Sequence, residues 1–306
     1  MWSFIARRLL VFIPVMLVIV TLTFFFIRLA PGGPFDAGER RIAPEVLDAL
    51  REHYNMNAPL IVQYYDFLVA LAQGDLGPSI AQPGFSVNEL IGKSFPVSLE
   101  LGLYALAFAL LLGLVAGVIA SLKPNSLADY IPMSFAMFGI CIPNFVLGPL
   151  LVLVFALWMG WMPVSGWDRA ADKILPAITL GAAYAAYVAR LSRGGMLEVL
   201  GQDYIRTARA KGLSEARVVL RHGLRGGIQP VVAYLGPAAA AMLTGSFVVE
   251  EIFDIPGLGS YFVDAASNRD YTMIMGTVLV YASLILLFNL CVDIVQAWLD
   301  PRLRER

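Results

Sequence analysis

The sequence predicts an all-α integral membrane protein with six transmembrane helices. The 306-residue chain is 58% hydrophobic and only 15% charged, against about 45–50% apolar and about 25% charged in a soluble domain. Six uncharged runs lie between its charged residues: Leu9–Ile27, Leu101–Leu122, Tyr130–Trp167, Ile174–Ala189, Gly226–Val249 and Tyr271–Val292. A helix needs roughly 20 residues to cross a bilayer, and five of the runs meet or approach that length. The runs are continuously apolar, whereas membrane strands alternate over about 10 residues.

Each span follows from its own run. The first has a basic start at Arg7 and Arg8 and 19 uncharged residues with no small-x-small cleavage site after them. It reads as a retained helix rather than a signal peptide. The 38-residue run is assigned one helix near Ile131–Leu157, because its end, "WMGWMPVSGW", has the aromatic and glycine-proline content of an interfacial exit. The 16-residue run extends past Arg190, whose apolar stem lets its charge snorkel. Gly236-Pro237 is expected to interrupt the fifth helix, since proline lacks the N–H and clashes one turn back. The chain divides into 1–30 (amino end and first span), 31–97 (outer loop), 98–300 (core with five spans and an internal loop, 190–227) and 301–306 (tail).

Lys and Arg near span ends set the orientation. With the amino end inside, 14 of them fall inside and 8 outside. Both termini then lie in the cytoplasm, and Gly32–Phe95 lies outside. Within that outer loop, helical spacing starts at Pro44 ("APEVLDALREHYNM") and again at Pro59, ending at Gly74. These two helices form either a small outer cap or interfacial helices lying on lipid.

Composition also excludes functions. A net charge of −1 gives no sign of a nucleic-acid partner. Cys141 and Cys291 sit in apolar runs as packing residues, and neither has a metal-ligand neighbour at suitable spacing. His53 is outside and His222 inside, so they cannot share a site. No catalytic cluster, metal-ligand set or cofactor motif presents itself. No G-x-x-x-x-G-K-[ST] phosphate loop occurs either. If ATP powers this protein, ATP and Mg are bound by another polypeptide.

The densest basic segment is "QDYIRTARAKGLSEARVVLRHGLRGG", Gln202–Gly227. The positive-inside rule explains its charge but not its pattern. Asp203 is a suitable N-cap for a helix from Tyr204. Arg209 and Lys211 suit its C-terminal dipole. Gly212 can take the left-handed cap, and Ser214 can start a second short helix. The result is a compact knob with an apolar side (Tyr204, Ile205, Ala208) and a basic side (Arg206, Arg209).

At this point the sequence resembles a known family. It looks like a permease subunit of a binding-protein-dependent ABC importer, more closely the B-type permease of oligopeptide and dipeptide importers. "FIARRLL…FIRLAPGGPF", "GDLGPSI", "DYIRTARAKGL", "EEIFDIPGLGSYFVDAASNRDY" and the terminal "DPRLR" carry the resemblance over essentially the whole chain. It implies the type I ABC importer permease fold in a bacterial inner membrane. It also implies that Asp203, Tyr204, Ile205, Arg206, Thr207, Ala208, Arg209, Lys211 and Gly212 form a helix that couples to ATP-binding subunits. The general family pattern E-A-A-x3-G-x9-I-x-L-P is met at Ala208 and Gly212. Arg206 replaces its Glu, while His222 and Arg225 stand where it has Ile and Pro. The implied partners are a second, C-type permease, two ATP-binding subunits, an extracytoplasmic binding protein, a peptide substrate and membrane lipid.

Polar groups within spans are candidates for a pathway: Asn144 after Pro143, and Thr244 and Ser246 in the fifth span. Helix packing explains the same residues. Glu250, Glu251 and Asp254 read as a solvated face that, in this family, would meet the binding protein and outer gate. Two other readings stay open: a permease of the same class for another solute such as a nickel complex, and an ion-coupled secondary carrier. Such carriers bury ionisable residues mid-span, and these spans hold none.

Overall fold

The computed structural model describes residues 2–35, 44–243 and 247–299. Apart from one isolated bridge between Pro78 and Ser86, the described regular structure is helical. Four helices are long and apolar enough to span alone: α1 (Trp2–Leu29), α4 (Val87–Leu122), α7 (Ile174–Leu200, lengthened by a short 3-10 turn from Ala170) and α14 (Tyr271–Leu299). Two bent pairs raise the number to six. One is α5 (Leu127–Cys141) with α6 (Asn144–Leu151) and its π-helical continuation to Trp158. The other is Glu215–Gly227, which contains α9 (Glu215–Arg217) and α10 (Leu224–Gly227), with α11 (Gln229–Leu243). Outside the spans lie α2 (Pro44–His53), α3 (Leu60–Ala72), α8 (Asp203–Ala210), α12 (Phe247–Ile252) and α13 (Leu258–Ser267).

Two sequence expectations about continuity are corrected. The third run is not one helix, because the chain turns by 111° between α5 and α6. Pro143 supplies the reason: a proline forces the residue before it out of the helical region, and Ile142 sits at φ −92°, ψ 115°. The fifth span is not interrupted at Gly236-Pro237. α11 runs through both residues, and the bend, 53°, lies at Ile228, the residue just before its start. Gly236 serves packing instead. A Cβ there would lie 3.2 Å from Val292 and 3.3 Å from Asn289 Oδ1 on α14.

The bundle is organised around α4 and α7, its most extensive helix pair. Their backbones touch. A Cβ added at Gly113 would fall 2.6 Å from the Ala185 carbonyl, and one at Gly117 would fall 2.4 Å from that of Ala189. From the other side, a Cβ at Gly181 would fall 2.7 Å from the Ala105 carbonyl. Small residues four apart permit this approach, which replaces the missing hydrophobic drive between helices in lipid. At its outer half the pair takes in α11 and α12 around Leu101, Ala105, Leu175, Leu180, Met242, Val249 and Phe253.

α4 has 36 residues, or about 54 Å at 1.5 Å per residue, while the hydrocarbon core is about 30 Å thick. Its outer end therefore projects, started by a capping box in which Ser86 and Glu89 satisfy each other's backbone N–H. That end packs Val87, Leu90 and Ile91 against α13 and α14. α3 leans on α1, placing Tyr64, Phe67, Leu68 and Leu71 around Val20 and Phe24.

Ion pairs join groups that charge counting placed on one side: Arg8 with Asp293 and Arg193 with Asp129 inside, Lys173 with Glu100 outside.

Overpacking a tight helix contact typically costs about 1–3 kcal/mol. Gly117→Val is therefore expected to lower the melting temperature and the monodisperse yield of the detergent-solubilised protein. Gly92→Ala, where a Cβ meets nothing within 4 Å, is expected to change neither.

Candidate coupling and gating sites

The knob between α7 and α9 forms as a helix of two turns, shifted by one residue from expectation and with no side-chain bond capping its start. Gln202 is the N-cap, and Asp203 is the first helical residue, where its charge still suits the positive helix end. Arg209 lies in the last turn, and Lys211 closes the helix by donating its N–H to the Thr207 carbonyl. Gly212 takes φ +79°, a left-handed value that only glycine adopts without strain. Ser214 precedes α9 as its N-cap residue. Thr207 is exposed and bonds back to the Asp203 carbonyl.

The apolar side of the knob divides. Ile205 and Ala208 are buried and pack on Val218, with Val199, Leu200 and Leu213 around them. Tyr204 instead keeps half its surface exposed. Arg206, Arg209, Lys211 and Gly212 are exposed as well. Arg206 reaches Asp203 at 3.4 Å, and Arg209 holds Glu215 through two bonds of 2.8 and 3.2 Å. The knob's root is tight. A Cβ on Gly195 of α7 would fall 2.3 Å from the Gly227 carbonyl, and one on Gly227 would fall 2.4 Å from Met196 Sδ. A π-helical turn, Val218–Gly223, leads from the knob into α10. The second short helix and the tail of the loop thus form one body with α7.

The outer acids separate into two environments. Glu251 and Asp254 are exposed. Glu250 has no exposed surface, which corrects its place as a contact for a binding protein. Its carboxylate accepts from Ser98 Oγ on α4 at 2.7 Å and from the backbone N–H groups of Gly259 (2.8 Å) and Ser260 (3.1 Å). Ser98 in turn accepts from the Leu258 N–H at 2.7 Å. Gly257 closes over this group, since a Cβ there would meet the carboxylate at 2.4 Å. Glu250 is thus an internal strut between α4, α12 and α13.

Of the pathway candidates, Asn144 is half-buried and opens α6 immediately beyond the 111° bend. Thr244 and Ser246 lie outside the described residues. An apolar cavity of about 340 Å³ lies between α4, α5 and α7 beside the bend, lined by Phe108, Gly113, Phe135, Gly139 and Ile142 among others, with no ionisable side chain.

Comparison with known proteins decides the family. Residues 109–305 match the family described as "Binding-protein-dependent transport system inner membrane component", and residues 1–101 match its N-terminal counterpart. The chain belongs to that family. It is 47% identical over 306 residues to the oligopeptide transport system permease protein OppB of Haemophilus influenzae, covering 99% of this chain and all of the relative. The OppB of Escherichia coli K12 gives the same identity and coverage. The dipeptide transport system permease protein DppB of Bacillus subtilis is 45% identical over 288 residues, covering 94% and 93% of the two chains. Among solved structures, a chain of the MetNI methionine ABC transporter in an inward facing conformation superposes with a TM-score of 0.56 at 16% identity, covering 69% of this chain and 96% of that one. An amino acid ABC transporter gives 0.52 at 18% identity, over 68% and 94%. These two show the fold. The chain is a multi-pass, non-catalytic permease subunit of the oligopeptide/dipeptide type.

Three groupings in this permease escaped sequence reading. Asp270, buried ahead of α14, accepts from Ser79 Oγ, the Ile80 and Ala81 N–H groups, Thr272 Oγ1 and the Met273 N–H. It joins "GDLGPSI" to the last span, and its position at a helix start was the one available signal. Glu100 gathers Lys173 and the Trp167 indole N–H on the outer side. Asp129 and Arg193 form a paired fork between α5 and α7.

Burial pushes the Glu250 carboxyl up from its ordinary value of 4.5, while Ser98 and the two backbone donors pull it back. A raised carboxyl favours folding at low pH. That contribution is lost as pH rises from the unfolded pKa through the folded one. Glu250→Gln is expected to keep the fold and flatten this pH dependence of thermal stability. Glu250→Ala leaves three donors unpaired, each costing about 1–3 kcal/mol, and is expected to melt earlier at every pH.

Proposed function

We propose that this chain forms half of the translocation pathway of an ATP-driven, binding-protein-dependent importer of oligopeptides or dipeptides. It works in a bacterial inner membrane with both termini in the cytoplasm. Its partners are a second, C-type permease, two ATP-binding subunits and an extracytoplasmic peptide-binding protein. The observation that carries the reading is full-length identity of 47% with peptide permeases. No phosphate loop is present in the sequence, so ATP and Mg belong to the partner subunits.

The reading assigns roles by exposure. Tyr204, Arg206, Arg209 and Lys211 face outward from the knob and meet the ATP-binding subunit. Ile205 and Ala208 face inward and transmit its movement to α7 and α11. Switching a gate from 1:99 to 99:1 takes about 5.5 kcal/mol of differential interaction. Exposed ion pairs supply roughly 0.2–1 kcal/mol each, so the packed contacts carry most of the load. On the outer side, Glu251 and Asp254 face the binding protein while Glu250 keeps the α12–α13 turn in shape. Asn144, with Thr244 and Ser246, is assigned to the pathway.

Reconstitution of the assembled transporter in vesicles tests this. Peptide uptake is expected to require ATP and the binding protein together. Ala208→Asp buries an uncompensated carboxylate, and Gly212→Val strains a left-handed position by roughly 1–2 kcal/mol. Both are expected to abolish uptake while the complex still assembles and hydrolyses ATP. Wild-type uptake by both variants refutes the coupling role, and uptake without ATP refutes the importer.

A further inference from the structure

Two arginines at the outer rim stand outside the ion pairs of the described residues. We propose that Arg28 and Arg269 hold the phosphate of an anionic phospholipid of the outer leaflet, with its acyl chains lying along the exposed faces of α1 and α3.

Arg28 lies in the last turn of α1. It comes 20 residues after Arg8, hence about 30 Å further along the axis, the thickness of the hydrocarbon core. The two arginines therefore mark the two membrane surfaces. Arg8 meets Asp293 at 2.9 Å, whereas Arg28 meets no carboxylate among the described residues. Its Nε donates to Gln63 Oε1 at 3.1 Å, its Nη1 makes a long bond of 3.4 Å to the Phe24 carbonyl, and its Nη2 has no partner among the described residues. The guanidinium lies flat against Phe24, 3.6 Å from the ring centroid, and 5.4 Å from that of Tyr271.

Arg269 approaches the same place from the other side. It precedes α14 at φ +55° and makes one long bond, 3.5 Å, to the Gly33 carbonyl. Its guanidinium presses on Gly32, where a Cβ would fall 1.7 Å from Nη1. The Tyr271 hydroxyl donates to the Gly32 carbonyl at 3.3 Å. Tyr271 thus has its ring 5.4 Å from the Arg28 guanidinium and its hydroxyl on the glycine that Arg269 presses against. Two described carboxylates of this region are engaged elsewhere: Asp66 accepts from Asn55, and Asp270 from Ser79 and the Ile80, Ala81 and Met273 N–H groups.

The surroundings select lipid over a soluble anion. α1 exposes Leu22, Phe26 and Leu29 beside Arg28, and α3 exposes Ile61, Tyr65 and Val69. An apolar skirt below two half-buried guanidinium groups complements a phosphate with hydrocarbon attached. Arginine's planar fork suits phosphate oxygens. α3 itself, at 13 residues, is too short to span, and Gln63 ties it to Arg28 at the level where headgroups lie.

Native mass spectrometry of the assembled transporter tests the site, using phosphatidylglycerol, phosphatidylcholine and inorganic phosphate as probes, on the wild type and on Arg28→Gln, Arg269→Gln and the double variant. The wild type is expected to retain phosphatidylglycerol over phosphatidylcholine by on the order of tenfold. Each single variant weakens the preference, the double variant removes it, and millimolar inorganic phosphate does not displace the lipid. Absence of the preference in the wild type overturns the proposal, a result that stands whether or not the variants fold. It is overturned equally by an unchanged preference in the double variant or by displacement with free phosphate. Variants that keep the lipid but lose binding-protein-dependent uptake would assign these arginines to protein docking instead.

Discussion

Where α4 crosses α7 there is no space for a side chain, and the rest of the permease is hung from that contact. Gly113, Gly117 and Gly181 bring carbonyls of one helix against the Cα atoms of the other. Water contributes no hydrophobic drive within a bilayer, so close approach of backbones is what fixes helix positions there. Once α4 and α7 are fixed, α11 and α12 have a defined surface to fill, and α7 carries the knob at its C-terminal end. The same rod reaches from the knob, through Gly195 and Gly227, to the outer cluster around Leu175.

Buried carboxylates do at the outer end what glycines do in the middle. Asp270 collects the backbone N–H groups of Ile80 and Ala81, 190 and 189 positions away, while Glu250 collects those of nearby Gly259 and Ser260 and the hydroxyl of Ser98, 152 positions away. A carboxylate removed from water must be fully bonded to be tolerated, and that requirement fixes the geometry of its donors. One ties α13 to α4, and the other ties the outer loop to α14. This end of the protein is thus built on a framework of two hydrogen-bonded carboxyl groups, with the acids Glu251 and Asp254 exposed.

The sequence made the spans legible because lipid imposes one rule on all of them: long apolar runs. The end of the knob helix was legible because the glycine signal is local, and Gly212 took the left-handed conformation its neighbours called for; its start was read one residue late, at Tyr204 instead of Asp203. What escaped depended on contacts across the fold. Nothing around Pro143 distinguishes a proline that bends a helix by 111° from Pro237, which α11 absorbs; the neighbours of each decide the outcome. Glu250 sits in a run with Glu251 and Asp254, and charge alone placed all three on the surface. Its burial required Ser98, 152 positions away. Tyr204 was grouped with Ile205 and Ala208 by hydrophobicity, yet it faces outward, because a two-turn helix turns only one narrow side to its core.

The length of α4 has a consequence for approach from outside. Because the bilayer absorbs only part of so long a rod, its capped end and the packed α13 stand above the headgroups as a parapet. A soluble visitor alighting there touches protein first, and meets it without having to strip water from the lipid around it.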